Sequence, residues 1–156
     1  MPTYGTTDRC TGGTATAEYT YSTYVASNAV DDNAATMWQQ NTSATCWWKY
    51  DFGAGVSWKI SKVTIQNLLD YGVKNFTIHG SNNDTNWTLL YTGIAANNET
   101  VQAFNFTVDN KIAYRYIKIT GVDVWGSPLI TYKEVEMIEG IYPSGGGIGI
   151  GNPYIF

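Results

Sequence analysis

A chain of 156 residues is sized for one domain, and at that length roughly 68–70% of the surface exposed by the unfolded chain is buried, so a single core forms without staples. Hydrophobic residues make up 44%, aromatic residues 15% and charged residues only 14%, against about 25% charged in a typical domain, which excludes a disordered chain and argues against long solvated helices. With 9 basic and 13 acidic residues, a formal net charge of −4 and no apolar run of about 18 residues, the chain has neither a field for phosphate backbones nor a membrane span, which argues against nucleic acid and membrane insertion as partners.

Residues 1–13 are polar and rich in Gly and Thr, and read as a lead-in. The first five residues carry neither a basic nor an apolar signal region, so any secretion signal is expected to be cleaved off or never present. Cys10 and Cys46 allow one disulfide or two buried free thiols, and their wide separation does not suit a thiolate metal cluster. From residue 14 to residue 140 strand follows strand. The run at 47–52 ends at Gly53-Ala54-Gly55, and 60–65 alternates with the period of a half-buried strand. Segments 76–79 and 87–91 flank the turn formers at 80–84 and read as a hairpin. Phe104, Phe106 and Val108 share one face of 101–108, and 114–119 and 134–138 complete the series. Short strands separated by frequent turns predict an all-β antiparallel sandwich or jelly roll. The tail at 141–156 is Gly-rich yet carries Ile148, Ile150, Tyr154, Ile155 and Phe156, so it either docks on a partner or on another copy of the chain, or forms a disordered end. Sequons at Asn41, Asn75, Asn83, Asn86, Asn98 and Asn105 are what a chain rich in Asn and Thr makes by chance.

The segment Ala29-Val30-Asp31-Asp32-Asn33-Ala34-Ala35-Thr36-Met37-Trp38 resembles the A-x-D-G-N-x-x-T-x-W pattern of the discoidin superfamily, the coagulation factor V/VIII C-type domains, to which many galactose-binding-like carbohydrate-binding modules belong. In the same order, Trp47-Trp48-Lys49-Tyr50-Asp51-Phe52-Gly53 is similar to W-W-x-x-D-L-G, and the hairpin at 76–81 with Trp87 is similar to F-x-I-x-G-S followed by a tryptophan. The strands at 113–119 and 133–137 are similar to the family's last two. The resemblance implies a jelly-roll β-sandwich and a structural calcium ion. Its side-chain ligands would be Asp31, Thr36 and Glu134, and its carbonyl ligands Asn28, Asn33, Thr36 and Lys133. An oxygen-rich set of this kind suits calcium, which takes six to eight oxygens at about 2.3–2.6 Å. Read without the family, the Asp31-Asp32-Asn33 cluster is an ordinary Asx-rich turn. Asp32 stands where the family has Gly, and Asp tolerates a left-handed backbone.

Catalysis has little to stand on. The single histidine, His79, is expected to face solvent from a strand, no zinc, nucleophile-elbow or phosphate-loop motif occurs, and no carboxylate spacing marks an acid–base pair, so the chain reads as non-catalytic. A sugar site needs exposed aromatic faces and a few polar groups. The matching loops hold Tyr19, Tyr21 and Tyr24, then Gln39, Gln40 and Asn41, then Asp70 and Tyr71, then Trp125; the candidate ligand residues are Tyr24, Gln39, Asn41, Asp70, Tyr71 and Trp125. Trp125 is either a platform or loop packing. Trp38, Trp48 and Trp87 match structural aromatics of the family and are expected in the core, with Arg115 as a structural arginine. Trp47 and Trp58 stay open. Many galactose-binding members carry a histidine after T-x-W and an arginine before the hairpin; here Gln39 replaces the first and residues 67–74 contain no arginine, so a standard galactose site is incomplete. The function expected is recognition of cell-surface or polymer glycans, at an extracellular, cell-surface or virion-surface location. The alternative is a structural or adhesive module of a virion or cell surface that docks through its tail.

Overall fold

The computed structural model describes residues 3–41, 45–106 and 112–141. Of the tail read at 141–156, Ile141 ends the last strand, and residues 142–156, like Val108, lie outside the described residues. Numbered along the chain, the strands are β1 (Thr3–Asp8), β2 (Thr14–Ala17), β3 (Trp38–Gln39), β4 (Cys46–Asp51), β5 (Ile60–Asn67), β6 (Asn75–Ser81), β7 (Thr88–Ile94), β8 (Val101–Asn105), β9 (Tyr116–Gly121) and β10 (Thr131–Ile141), with one 3₁₀ turn at Ala26–Val30. They form two antiparallel sheets. One has the order β1-β10-β5-β8, with β3 also paired to β10, and the other has the order β2-β4-β9-β6-β7. This is the expected jelly-roll sandwich.

Alternation along the strands decides which side chains enter the core. On β4, Cys46, Trp48 and Tyr50 point inward and Trp47, Lys49 and Asp51 outward, and on β9 Ile117 and Ile119 point inward. The aromatic surplus packs as a chain of rings. Trp38 lies 5.1 Å from Tyr132 and Tyr50 5.2 Å from Phe52, and Phe76 meets Phe104 edge-on at 4.8 Å across the gap between the sheets. Each such buried ring stabilises the fold by about 1.5–3 kcal/mol. The two interior indoles keep their N–H groups satisfied, Trp38 donating to the Tyr19 carbonyl at 3.0 Å and Trp48 to the Ala26 carbonyl at 3.1 Å.

Several expectations change. The lead-in contains an edge strand, since β1 pairs antiparallel with β10 through Thr3↔Ile141 and Tyr4↔Gly140. Gly and Thr hid it because an edge strand facing water needs no apolar alternation. Cys10 and Cys46 are buried free thiols, and burial pushes Cys46 up to about 12. Trp87 is not in the core. It precedes β7 and folds back over the outer face of the second sheet, half-buried, its ring 6.5 Å from Tyr116 and 4.0 Å from Lys118 Nζ. Arg115 is structural as expected, but it is part-exposed: Nε and Nη2 grip both Asp51 oxygens at 2.7 and 2.8 Å, tying the end of β4 to the approach to β9.

Candidate functional site

The loops at one end of the sandwich are joined into a continuous rim by backbone hydrogen bonds. The Tyr21 N–H donates to the Gln39 carbonyl at 2.8 Å, and the Gln39 N–H to the Tyr24 carbonyl at 3.2 Å, so the segment after β2 is held against β3. From β3 the Gln40 N–H reaches the Ile130 carbonyl at 3.1 Å. The Ser127 N–H then donates to the Asp70 carbonyl at 2.8 Å, and the Trp125 N–H to the Gly72 carbonyl at 3.1 Å. Segments far apart in sequence thereby share one edge. Gly126 makes the closest approach possible: its φ is +62°, and a Cβ there would stand 2.9 Å from the Asp70 carbonyl oxygen.

On this rim the aromatic surface is tyrosine. Tyr21 and Tyr24 stack with ring centroids 6.1 Å apart and planes 11° from parallel, and they are 50% and 37% exposed. Tyr19 and Tyr71 are exposed at 40% each. Asp70, held at φ 60°, is locked reciprocally with Asn97: its N–H donates to Asn97 Oδ1 at 2.9 Å and its Oδ1 accepts from Asn97 Nδ2 at 2.7 Å. Asn41 is exposed at the border of the described residues.

Gln39 departs from its expected role. Because β3 pairs with β10, Gln39 stands opposite Thr131, is 9% exposed, and donates from Nε2 to Thr131 Oγ1 at 2.9 Å, so its amide faces the interior. Trp125 makes the contacts of the loop-packing reading and stays partly at the surface. Its indole N–H pins the Ala95 carbonyl at 2.8 Å and Lys74 Nζ lies 4.7 Å from the ring, leaving a half-buried aromatic wall. The sequence reading missed Lys74 and Asn97, which set the positions of Trp125 and Asp70. Nothing in the spacing of Asn97 ties it to Asp70.

The second feature is the loop closed by β10. Asp32 has φ 58°, the left-handed conformation expected where the family has Gly. The Asn33 N–H donates to Glu134 Oε1 at 2.6 Å and to Asp31 Oδ1 at 3.1 Å. Thr36 Oγ1 lies 2.9 and 2.7 Å from the two Asp31 oxygens and 2.8 Å from the Asn33 carbonyl, so three acceptors crowd a hydroxyl that has one proton to give. Burial, opposed by the Asn33 N–H and reinforced by Asp31 and Asp32, pushes Glu134 up to about 7. The ladder of β10 shifts register between Tyr132 and Glu134, which takes Lys133 out of regular pairing with β5. Asn28 sits below the loop, its Nδ2 donating to the Met37 carbonyl at 3.1 Å. Among the described residues no group of three His, Cys, Asp or Glu side chains converges as a metal site. The loop instead combines two carboxylates with hydroxyl and carbonyl oxygens, a donor chemistry that fits calcium.

The histidine expected to face solvent is half-buried. His79 lies within β6 on the outer face of the second sheet, where burial and then Lys118 lower its pKa. No helix among the described residues is long and apolar enough to cross a membrane.

The F5/8 type C domain model matches residues 13–135. No match is found among curated proteins. Among solved structures, a family 32 carbohydrate-binding module from NanJ of Clostridium perfringens, in complex with galactose, superposes with a TM-score of 0.74 at 24% identity, covering 89% of this chain and 100% of that one. A second family 32 module from Clostridium perfringens, in complex with GalNAc-β-1,3-galactose, has a TM-score of 0.73 at 15% identity and covers 83% and 96%. Chitosan-binding module 1 of a chitosanase/glucanase from Paenibacillus sp. IK-5, solved as a selenomethionine-labelled point mutant, has a TM-score of 0.68 at 24% identity and covers 84% and 97%.

Proposed function

The chain belongs to the F5/8 type C domain family, and from that premise we propose that it is a non-catalytic carbohydrate-binding module that takes a glycan on the loop rim. The stacked, exposed Tyr21–Tyr24 pair carries this reading. A pyranose presents C–H groups to an aromatic face and hydroxyls to its side, and the rim supplies both counterparts in Tyr24, Tyr71 and the carboxylate of Asp70. The similarly folded modules were solved with galactose or GalNAc-β-1,3-galactose, or are named for chitosan, which supports a glycan as the ligand class. The inward-turned Gln39 and the absence of arginine from residues 67–74 favour a sugar other than one held by the standard galactose set.

The same proposal includes a structural calcium ion held by Asp31, Thr36 and Glu134 with the carbonyls of Asn28, Asn33, Thr36 and Lys133. The ion would neutralise the crowded oxygens and fasten the loop to β10. Its chemistry there is cohesion, and the glycan-binding residues lie on the rim.

A glycan array tests the ligand class, followed by titration of the best neutral sugar. Tyr24→Ala and Tyr71→Ala are each expected to weaken binding about tenfold, or about 1.4 kcal/mol. An array without a single bound glycan, or a sugar whose affinity ignores both substitutions, overturns the reading.

A further inference from the structure

The outer face of the second sheet carries a cleft that the loop rim does not use. Trp47, Lys49, Asp84, Trp87 and Lys118 line it, and its volume is about 240 Å³. The register explains what gathers there. Lys49 on β4 stands directly opposite Lys118 on β9, which in turn stands opposite His79 on β6. Like charges in facing positions of neighbouring strands destabilise a sheet. Asp84 relieves Lys49, binding its Nζ through both oxygens at 2.7 and 2.6 Å. Lys118 has no such partner: among the described residues no carboxylate forms an ion pair with it, and its ammonium rests 4.0 Å from the Trp87 ring centroid. Lys49 Nζ lies 5.2 Å from the Trp47 ring. Burial, and then the charge of Lys49, lower the Lys118 pKa, with the charge of Asp84 opposing them. His79 Nδ1 is buried without a hydrogen-bond partner. On a chain with a net charge of −4, two lysines against one aspartate make this cleft locally positive.

We propose that the cleft is a second saccharide site, for an acidic sugar whose carboxylate or sulfate is held by Lys118 and Lys49 while its ring lies against Trp47 and Trp87. Charge complementarity selects the anion, and the indoles select a pyranose over an extended acidic peptide, which offers them no C–H face. The volume is below the roughly 300–1,000 Å³ of pockets for drug-sized ligands, so the cleft takes one sugar unit. The site is independent of the loop rim in both residues and ligand charge.

The test is calorimetric titration of the full chain with tri-galacturonic acid, galactose 6-sulfate, neutral galactotriose and hexaglutamate. At least one acidic sugar is expected to bind more tightly than galactotriose and hexaglutamate, and its affinity to fall as salt is raised. Lys118→Gln, which removes a like-charge contact and is expected to fold, should weaken that sugar at least tenfold. Lys118→Arg should retain most of the affinity, and the rim variant Tyr21→Ala/Tyr24→Ala should bind it as the parent does. The proposal is overturned if neither acidic sugar binds, if Lys118→Gln binds it unchanged, if hexaglutamate binds equally well, or if the rim variant abolishes binding. Neutral glycan binding at the rim is read separately, so either site can fail alone.

Discussion

Asp51 and Arg115 show how one side-chain pair links sequence, fold and pH. The guanidinium hydrogen bonds, opposed by partial burial and reinforced by the Gly53 N–H, hold the Asp51 carboxyl below its ordinary range. Folding therefore favours the ionised form. The pair's contribution is fully present above the unfolded-state value of about 3.9 and is lost as pH falls through the lower folded value. Urea unfolding from pH 7 to pH 2 is expected to show parent and Asp51→Asn converging at the acid end; a constant difference across that range would contradict it. Tryptophans show where reading residues one at a time stops. Trp38 and Trp87 both matched structural positions of the family, yet Trp38 is fully buried and Trp87 folds over an outer face. Trp38 opens the two-residue β3 and Trp87 lies just before β7, and at neither place does a run of alternation say on which side the ring will land. Trp38→Ala is expected to cost about 3–5 kcal/mol. Trp87→Ala, half-exposed already, should cost clearly less in the same denaturation experiment.

At the scale of elements, β4, β5, β6, β9 and β10 were legible because half-buried strands write period two into the sequence. β1 and β3 were not. β1 is an edge strand without apolar alternation, and β3 is only two residues long, recognisable by its pairing with β10. That pairing is also why Gln39 turns inward, so the loss of one candidate ligand follows from an element too short to read. Apart from Gln39, which falls in β3, the rim residues lie in loops as expected, but which loop touches which depends on contacts between distant segments, such as Asp70 with Asn97. Gly126→Ala tests how firmly the rim is built. With a left-handed φ and a carbonyl 2.9 Å from the new methyl, it is expected to cost about 1–3 kcal/mol and to weaken glycan binding along with stability. Equal stability of the two proteins would contradict the close packing of residues 70 and 126. The β10 loop offers a parallel test. Calcium is expected to raise the unfolding midpoint over that in chelator, with about 2.7 kcal/mol gained at a concentration one hundred times Kd. Asp31→Asn should abolish that gain, and an unchanged midpoint in the parent would remove the ion.

For the whole molecule, the low charge and high aromatic content divide between two purposes. Trp38, Trp48, Tyr50, Phe76 and Tyr132 close the space between the sheets, while Tyr21, Tyr24 and Tyr71 stay at one end and Trp47 and Trp87 on one face. On the proposed reading a shallow rim of this kind would bind a single sugar weakly, so retention on a glycan surface would rest on several contacts at once, from the two proposed sites on one chain or from repeated copies. Backbone amide NMR of the chain, titrated with the best neutral glycan from the array, examines the rim directly. Shifts are expected at Tyr21, Tyr24, Asp70, Tyr71 and Trp125 and not along β4 and β9. Saturating sugar that leaves those five residues unmoved, or moves only residues elsewhere, would contradict glycan recognition at this end of the sandwich.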